Sequence, residues 1–123
     1  MLKFVYKVCP AIVIYNDAFV PEGYGGVTRL FFIFLKEKYK GTDEGILQHE
    51  LTHVKQLYRS FGLFPYMYLL SKKFRFDSEV EAYKVQASYY TDPQASYVWM
   101  ARAIATKYKL NVTEEEALAA LKS

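Results

Sequence analysis

Residues 43–60 read DEGILQHELTHVKQLYRS, and the reading of this stretch decides the fold. Gly41 breaks what precedes it, and Thr42 and Asp43 offer a helix start. At about 100° per residue, Leu47, Leu51, Val54 and Tyr58 fall on one side, where a core would take them. Gln48, Thr52, Lys55 and Arg59 fall on another side and are expected to face solvent. His49, His53 and Gln56 share a third stripe. The spacing predicts a helix over 43–60 that is anchored by one face and offers a second to a site.

That second face carries chemistry. His49-Glu50-Leu51-Thr52-His53 is H-E-x-x-H. Residues four apart lie on adjacent turns of one face, so two imidazoles can converge on one ion. Zinc accepts imidazole nitrogen at about 2.0–2.1 Å and takes four ligands, one of them water where the site is catalytic. Glu50 lies about a quarter-turn round from His49, within reach of that water. The chain has two histidines and the motif uses both, so a third protein ligand must be Asp, Glu or Cys. Residues 77–83, DSEVEAY, are the best source. Glu79 shares a stripe with Ala82, Tyr83 and Gln86, whereas Glu81 is read as closing a capping box with Ser78. Glu79 is therefore preferred over Glu81. Cys9 reads as a small core residue rather than a ligand.

Upstream, Leu2–Val8 and Ala11–Tyr15 read as strands separated by Pro10. Residues 21–26, PEGYGG, form a loop, and the apolar run Leu30–Leu35 within Val27–Tyr39 reads as a third strand. Downstream, Phe64–Leu70 is a short helix or packed loop. Further helices are expected from Ser78 to about Tyr90, from the Thr91–Gln94 start signal to about Lys109, and from Thr113 onward. Strands first and helices after make an α+β fold: a small N-terminal sheet of about three strands packed on the H-E-x-x-H helix, with several C-terminal helices. Residues 1–123 suffice for one domain and show no linker or repeat.

Composition narrows the function classes. Apolar residues are 52% and charged residues 24% of the chain, which argues against disorder. Net charge is +3. The clusters Lys36, Lys38, Lys40 and Lys72, Lys73, Arg75 are too sparse for a nucleic-acid footprint. One cysteine excludes an intrachain disulfide. The first residues make a poor signal peptide, and Phe61–Leu70, interrupted by Gly62 and Pro65, is too short to span a bilayer. The expectation is a soluble cytoplasmic protein with no nucleic-acid or membrane partner.

His49-Glu50-Leu51-Thr52-His53-Val54, with Gln56 beyond it, resembles the gluzincin zinc metallopeptidases. Glu79-Val80-Glu81-Ala82-Tyr83 resembles their glutamate helix. The size resembles the minigluzincins, and the layout is similar to short metallopeptidases of phage and bacterial genomes. The resemblance covers roughly residues 11–90. It implies one Zn2+ per chain held by His49, His53 and Glu79, with Glu50 as general base and acid. It also implies a peptide or protein substrate bound extended along an edge strand, here Leu30–Tyr39. Many gluzincins carry an aspartate four residues after the ligand glutamate, where this chain has Tyr83. Tyr83 is assigned the donor to the tetrahedral oxyanion. The competing reading is a non-catalytic zinc-binding or protein-interaction module on the same scaffold. A terminus over the zinc, or self-association through the cleft, would keep so small a protease latent.

Overall fold

In the computed structural model, which describes residues 1–123, four strands come first and five helices follow. This is the α+β arrangement that the order of elements predicts. β1 (Leu2–Val5) and β2 (Cys9–Tyr15) form an antiparallel hairpin. β2 then runs parallel to β4 (Phe32–Leu35), and β3 (Gly26–Arg29) lies antiparallel to β4 at the far edge, giving the order β1-β2-β4-β3. Pro10 is tolerated because β4 begins to pair with β2 only at Ile12, so its missing N–H falls beyond the central ladder.

The sheet has four strands rather than about three because residues 26–35 fold back on themselves. The link is Leu30 and Phe31, with Leu30 at φ +55°. The first strand likewise stops at Val5, since Tyr6 and Lys7 turn the chain at φ +50° and +71°. Such turns ordinarily carry Gly or Asn, and neither residue marks these two. One consequence corrects the expected substrate strand. The strand within Leu30–Tyr39 is β4, which lies between β2 and β3, so the free edge beside the H-E-x-x-H helix is β3.

α1 (Glu44–Arg59) starts where Asp43 Oδ1 accepts the Ile46 amide at 3.1 Å, closing one of the orphan N–H groups of a helix start. Leu47, Leu51 and Val54 pack on Val5, Ala11, Val13, Ile33 and Leu35 of the sheet, each contributing roughly 1.5–3 kcal/mol by burial. The stripe expected in solvent divides. Arg59 is exposed, but Thr52 is 2% exposed. Thr52 belongs to a second buried stripe, Gly45–His49–Thr52–Gln56, which faces α3. Gly45 sets the close approach: a Cβ there would stand 3.0 Å from the Gln86 carbonyl and 2.8 Å from the Tyr90 ring.

α2 (Phe64–Leu70) is a short helix, and α3 (Lys72–Ala87) begins nearly two turns before the expected start. Its cap is Ser71, whose Oγ accepts the Phe74 amide at 3.1 Å. Ser78 is mid-helix, and its hydroxyl donates back to the Phe74 carbonyl. There is no capping box with Glu81, which instead pairs with Arg59 at 2.7 Å. α4 (Pro93–Lys107) and α5 (Glu114–Lys122) are capped by Asp92 and Thr113. They enclose a second core of Tyr83, Ala87, Met100, Ala101, Ile104 and Leu121. α3 is shared: one face joins this core and the other meets α1. No helix is long and apolar enough to cross a membrane.

Candidate metal centre

The seam between α1 and α3 brings the H-E-x-x-H side chains to the carboxylate that the sequence singled out. His49, Glu50 and His53 place ligand-type atoms within 4.8 Å of one another. Glu79, 2% exposed, reaches both rings from α3. Its Oε1 stands 3.3 Å from His49 Nε2 and its Oε2 3.3 Å from His53 Nε2. Glu81 points away to Arg59 and Gln56, so of the two glutamates only Glu79 faces the histidines.

The outer hydrogen bonds fix which ring nitrogen carries the proton. His53 Nδ1 is 2.8 Å from Gln56 Oε1. The Gln56 amide nitrogen donates to the Ser78 carbonyl at 3.1 Å and to Glu81 Oε1 at 2.9 Å. Both partners are pure acceptors, so the amide oxygen must face the ring and Nδ1 must bear hydrogen. His49 Nδ1 is 2.9 Å from Gln86 Oε1. Gln86 Nε2 donates to the Tyr90 hydroxyl at 2.7 Å, which in turn donates to the Asp43 carboxylate at 3.0 and 3.1 Å. Here too the polarity runs one way. Both Nε2 atoms are left to present lone pairs to a carboxylate.

Lone pairs from two imidazoles and a carboxylate repel unless a cation or a proton lies between them. The spacing favours a metal. Charge-assisted N–H···O contacts run about 2.7–2.9 Å, whereas ligands about 2.05 Å from a tetrahedral ion stand about 3.3 Å apart. Glu79 Oε1 is the one buried side-chain polar atom with no hydrogen-bond partner, and an ion would satisfy it. The donor set, two imidazole nitrogens and carboxylate oxygen, suits zinc and is shared by other first-row divalent ions. The residues therefore fit a divalent cation.

Without a metal, a proton does part of this work. Burial works to lower the His53 pKa, but the charge of the Glu79 carboxylate beside it outweighs this and pushes it up to about 9. Burial works to raise the Glu79 carboxyl, yet His53 and His49 hold it well below the usual carboxylate range. The folded His53 value lies above the unfolded value of 6.5. Its proton therefore stabilises the metal-free fold fully below about pH 6.5, and that contribution is lost as pH rises through about 9. The melting temperature of the metal-free chain is expected to fall across that window. Zinc binding at pH 7.5 should release about one proton per ion, read from calorimetric heats in buffers of different ionisation enthalpy. Zero release and a flat melting profile would show that His53 is neutral in the metal-free chain.

Tyr83 is not placed as the sequence suggested. It is 6% exposed, stands edge-on to His49 with ring centroids 4.4 Å apart, and shares a 2.8 Å hydrogen bond with the Tyr108 hydroxyl. It does not line the cleft, and so is corrected from oxyanion donor to a wall behind His49. The hydroxyl at the centre is that of Tyr68, which donates to Glu79 Oε2 at 2.5 Å. Burial first, then the Glu79 charge, pushes its pKa well up, so it stays a donor. The bond that orients His49 comes from Gln86, seven residues after Glu79. Seven residues is two helical turns, so the stripe pattern contains that signal. Nothing periodic links Tyr68 to the motif. Replacing Gln86 with Leu is expected to weaken metal binding by about 10–100-fold, measured by competition with a chromophoric chelator. Unchanged affinity would show that the bond does not orient His49.

These groups form the floor of a cleft of about 980 Å³. β3 makes one wall, and Phe64 and Tyr68 of α2 make the other. Thr28 of β3 donates its hydroxyl to Glu50 Oε2 at 3.2 Å or to the Glu50 carbonyl at 3.3 Å. Arg75 lines the cleft but is committed, donating to the carbonyls of Tyr68, Tyr108 and Lys109. It ties α2 and the α4–α5 connection to α3. No family model, curated protein or solved structure matches the chain. What the site can do rests on its own geometry.

Proposed function

We propose that the chain is a zinc-dependent metallopeptidase of gluzincin type. The observation that supports this reading most is the convergence of two Nδ1-protonated imidazoles on the buried Glu79, with Glu50 beside them on the floor of a cleft walled by a free strand edge. His49, His53 and Glu79 would hold the ion. When bound, zinc supplies a Lewis acid that polarises a scissile carbonyl and makes water acidic near neutral pH.

The chain's own residues do the rest. Glu50 takes a proton from the attacking water and delivers it to the leaving amine. Thr28 holds the Glu50 carboxylate on the cleft side. The Tyr68 hydroxyl, whose one proton lies on Glu79 Oε2 here, would turn from that carboxylate to donate to the oxyanion of the tetrahedral intermediate, the role expected of Tyr83. β3 offers unpaired backbone groups to an extended peptide, which binds as an added strand. The Glu50–Thr28 contact sets that strand against the general base.

The test is incubation of the purified chain with zinc and a mixed peptide library, followed by mass spectrometry. Cleavage that stops with chelator and returns with added zinc is expected. A zinc-loaded chain that cleaves nothing would sink the peptidase reading and leave a non-catalytic metal site.

A further inference from the structure

Residues 61–70 read FGLFPYMYLL, without a charge and with two tyrosine hydroxyls as the sole polar side-chain groups. An apolar run of this length belongs in a core or at an interface. Here it is on the outside. None of α2 is buried, Phe61 is 95% and Leu70 81% exposed, and Leu63, Tyr66 and Leu69 are also exposed. The inward side is occupied by Phe64 and Tyr68, packed towards His53. The helix is thus apolar on both faces, and solvation does not account for the outer one.

Cations flank this segment along the chain. Lys72 and Lys73 follow it and Arg59 precedes it. The β1–β2 loop, with Lys7 and the exposed Tyr6 and Val8, comes to the same end of α1, where the Tyr58 hydroxyl donates to the Pro10 carbonyl at 2.6 Å. The nearby acids, exposed Asp77 and half-buried Glu81, are already paired with Lys73 and Arg59. Lys7 and Lys72 have no acidic partner.

We propose that this end of the molecule docks on an anionic bilayer. The outer side chains of residues 61–70 sink into the boundary between headgroups and acyl chains, and Lys7, Lys72 and Lys73 meet the headgroups. The segment is too short to span and long enough to lie in the interface. A second copy is the poorer occupant, because a twofold contact would bring these cations against themselves. α2 also walls the cleft, so docking holds the cleft at the lipid surface. The proposal does not depend on what the cleft does.

The test is sedimentation of the full chain with vesicles of phosphatidylcholine alone or with phosphatidylserine added. Binding to the anionic vesicles is expected, at least about tenfold weaker to neutral ones. Phe61→Ser with Leu70→Ser should weaken it about tenfold with unchanged circular dichroism, and so should Lys72→Glu with Lys73→Glu. The proposal is overturned if the parent chain binds neither vesicle or binds both equally. It is also overturned if either variant binds like the parent, or if sedimentation velocity shows a dimer that the Phe61–Leu70 variant dissolves.

Discussion

Glu50→Gln is expected to retain one zinc per chain and to lose about 10²–10⁴-fold in the rate of peptide cleavage. That range is the typical worth of a positioned general base. Glu50 lies buried on the cleft floor, and its Oε2 accepts from Thr28. The amide has the same shape and can still accept that hydrogen bond through its oxygen, so neither α1 nor the Glu79 cage is disturbed. What disappears is an acceptor able to carry the water's proton to the leaving amine. Metal content by elemental analysis, circular dichroism and a peptide assay on one preparation separate these effects. A variant that cleaved as fast as the parent would remove Glu50 from the mechanism. A variant without metal would place Glu50 among the ligands instead.

Glu79→Ala should instead strip the metal. Apparent zinc binding energies of about 10–16 kcal/mol spread over four ligands imply about 10²–10³-fold weaker binding for each ligand lost. The two Nε2 lone pairs would then lose their third partner, and the Tyr68 hydroxyl would lose the carboxylate it donates to. Glu81→Ala is the matched control. It breaks the contacts to Arg59 and Gln56, yet it should keep affinity near the parent's because the Ser78 carbonyl still holds the Gln56 amide. If Glu81→Ala lost zinc and Glu79→Ala kept it, the ligand assignment would be reversed.

The legible part of this site was the part written in helical period. His49, Glu50 and His53 announce themselves on α1, and Glu79 shares its stripe with Gln86 two turns on. The start of α3 was obscured because its true first turn, Lys72-Lys73-Phe74-Arg75, has no acidic residue. Ser78 and Glu81 meanwhile imitate a cap from inside the helix. The extra strand was hidden because Leu30 takes a left-handed turn without a glycine to mark it. Tyr68 was out of reach for a different reason. It comes from another helix with no fixed offset from the motif, and of twelve tyrosines only folding could show which hydroxyl meets Glu79. Gln56 and Gln86 were visible as members of the right stripes. Their task became clear only when the acceptors behind them, the Ser78 carbonyl and Asp43 through Tyr90, fixed the direction of each hydrogen bond.

The chain from His49 through Gln86 and Tyr90 ends on the same carboxylate that caps α1. Fraying of that first turn would release Asp43, let the tyrosine swing, and free the imidazole to rotate. Local melting and loss of grip on a bound ion would then be one cooperative event. A motion at the helix tip would thus be felt nearly two turns along, at the cage itself.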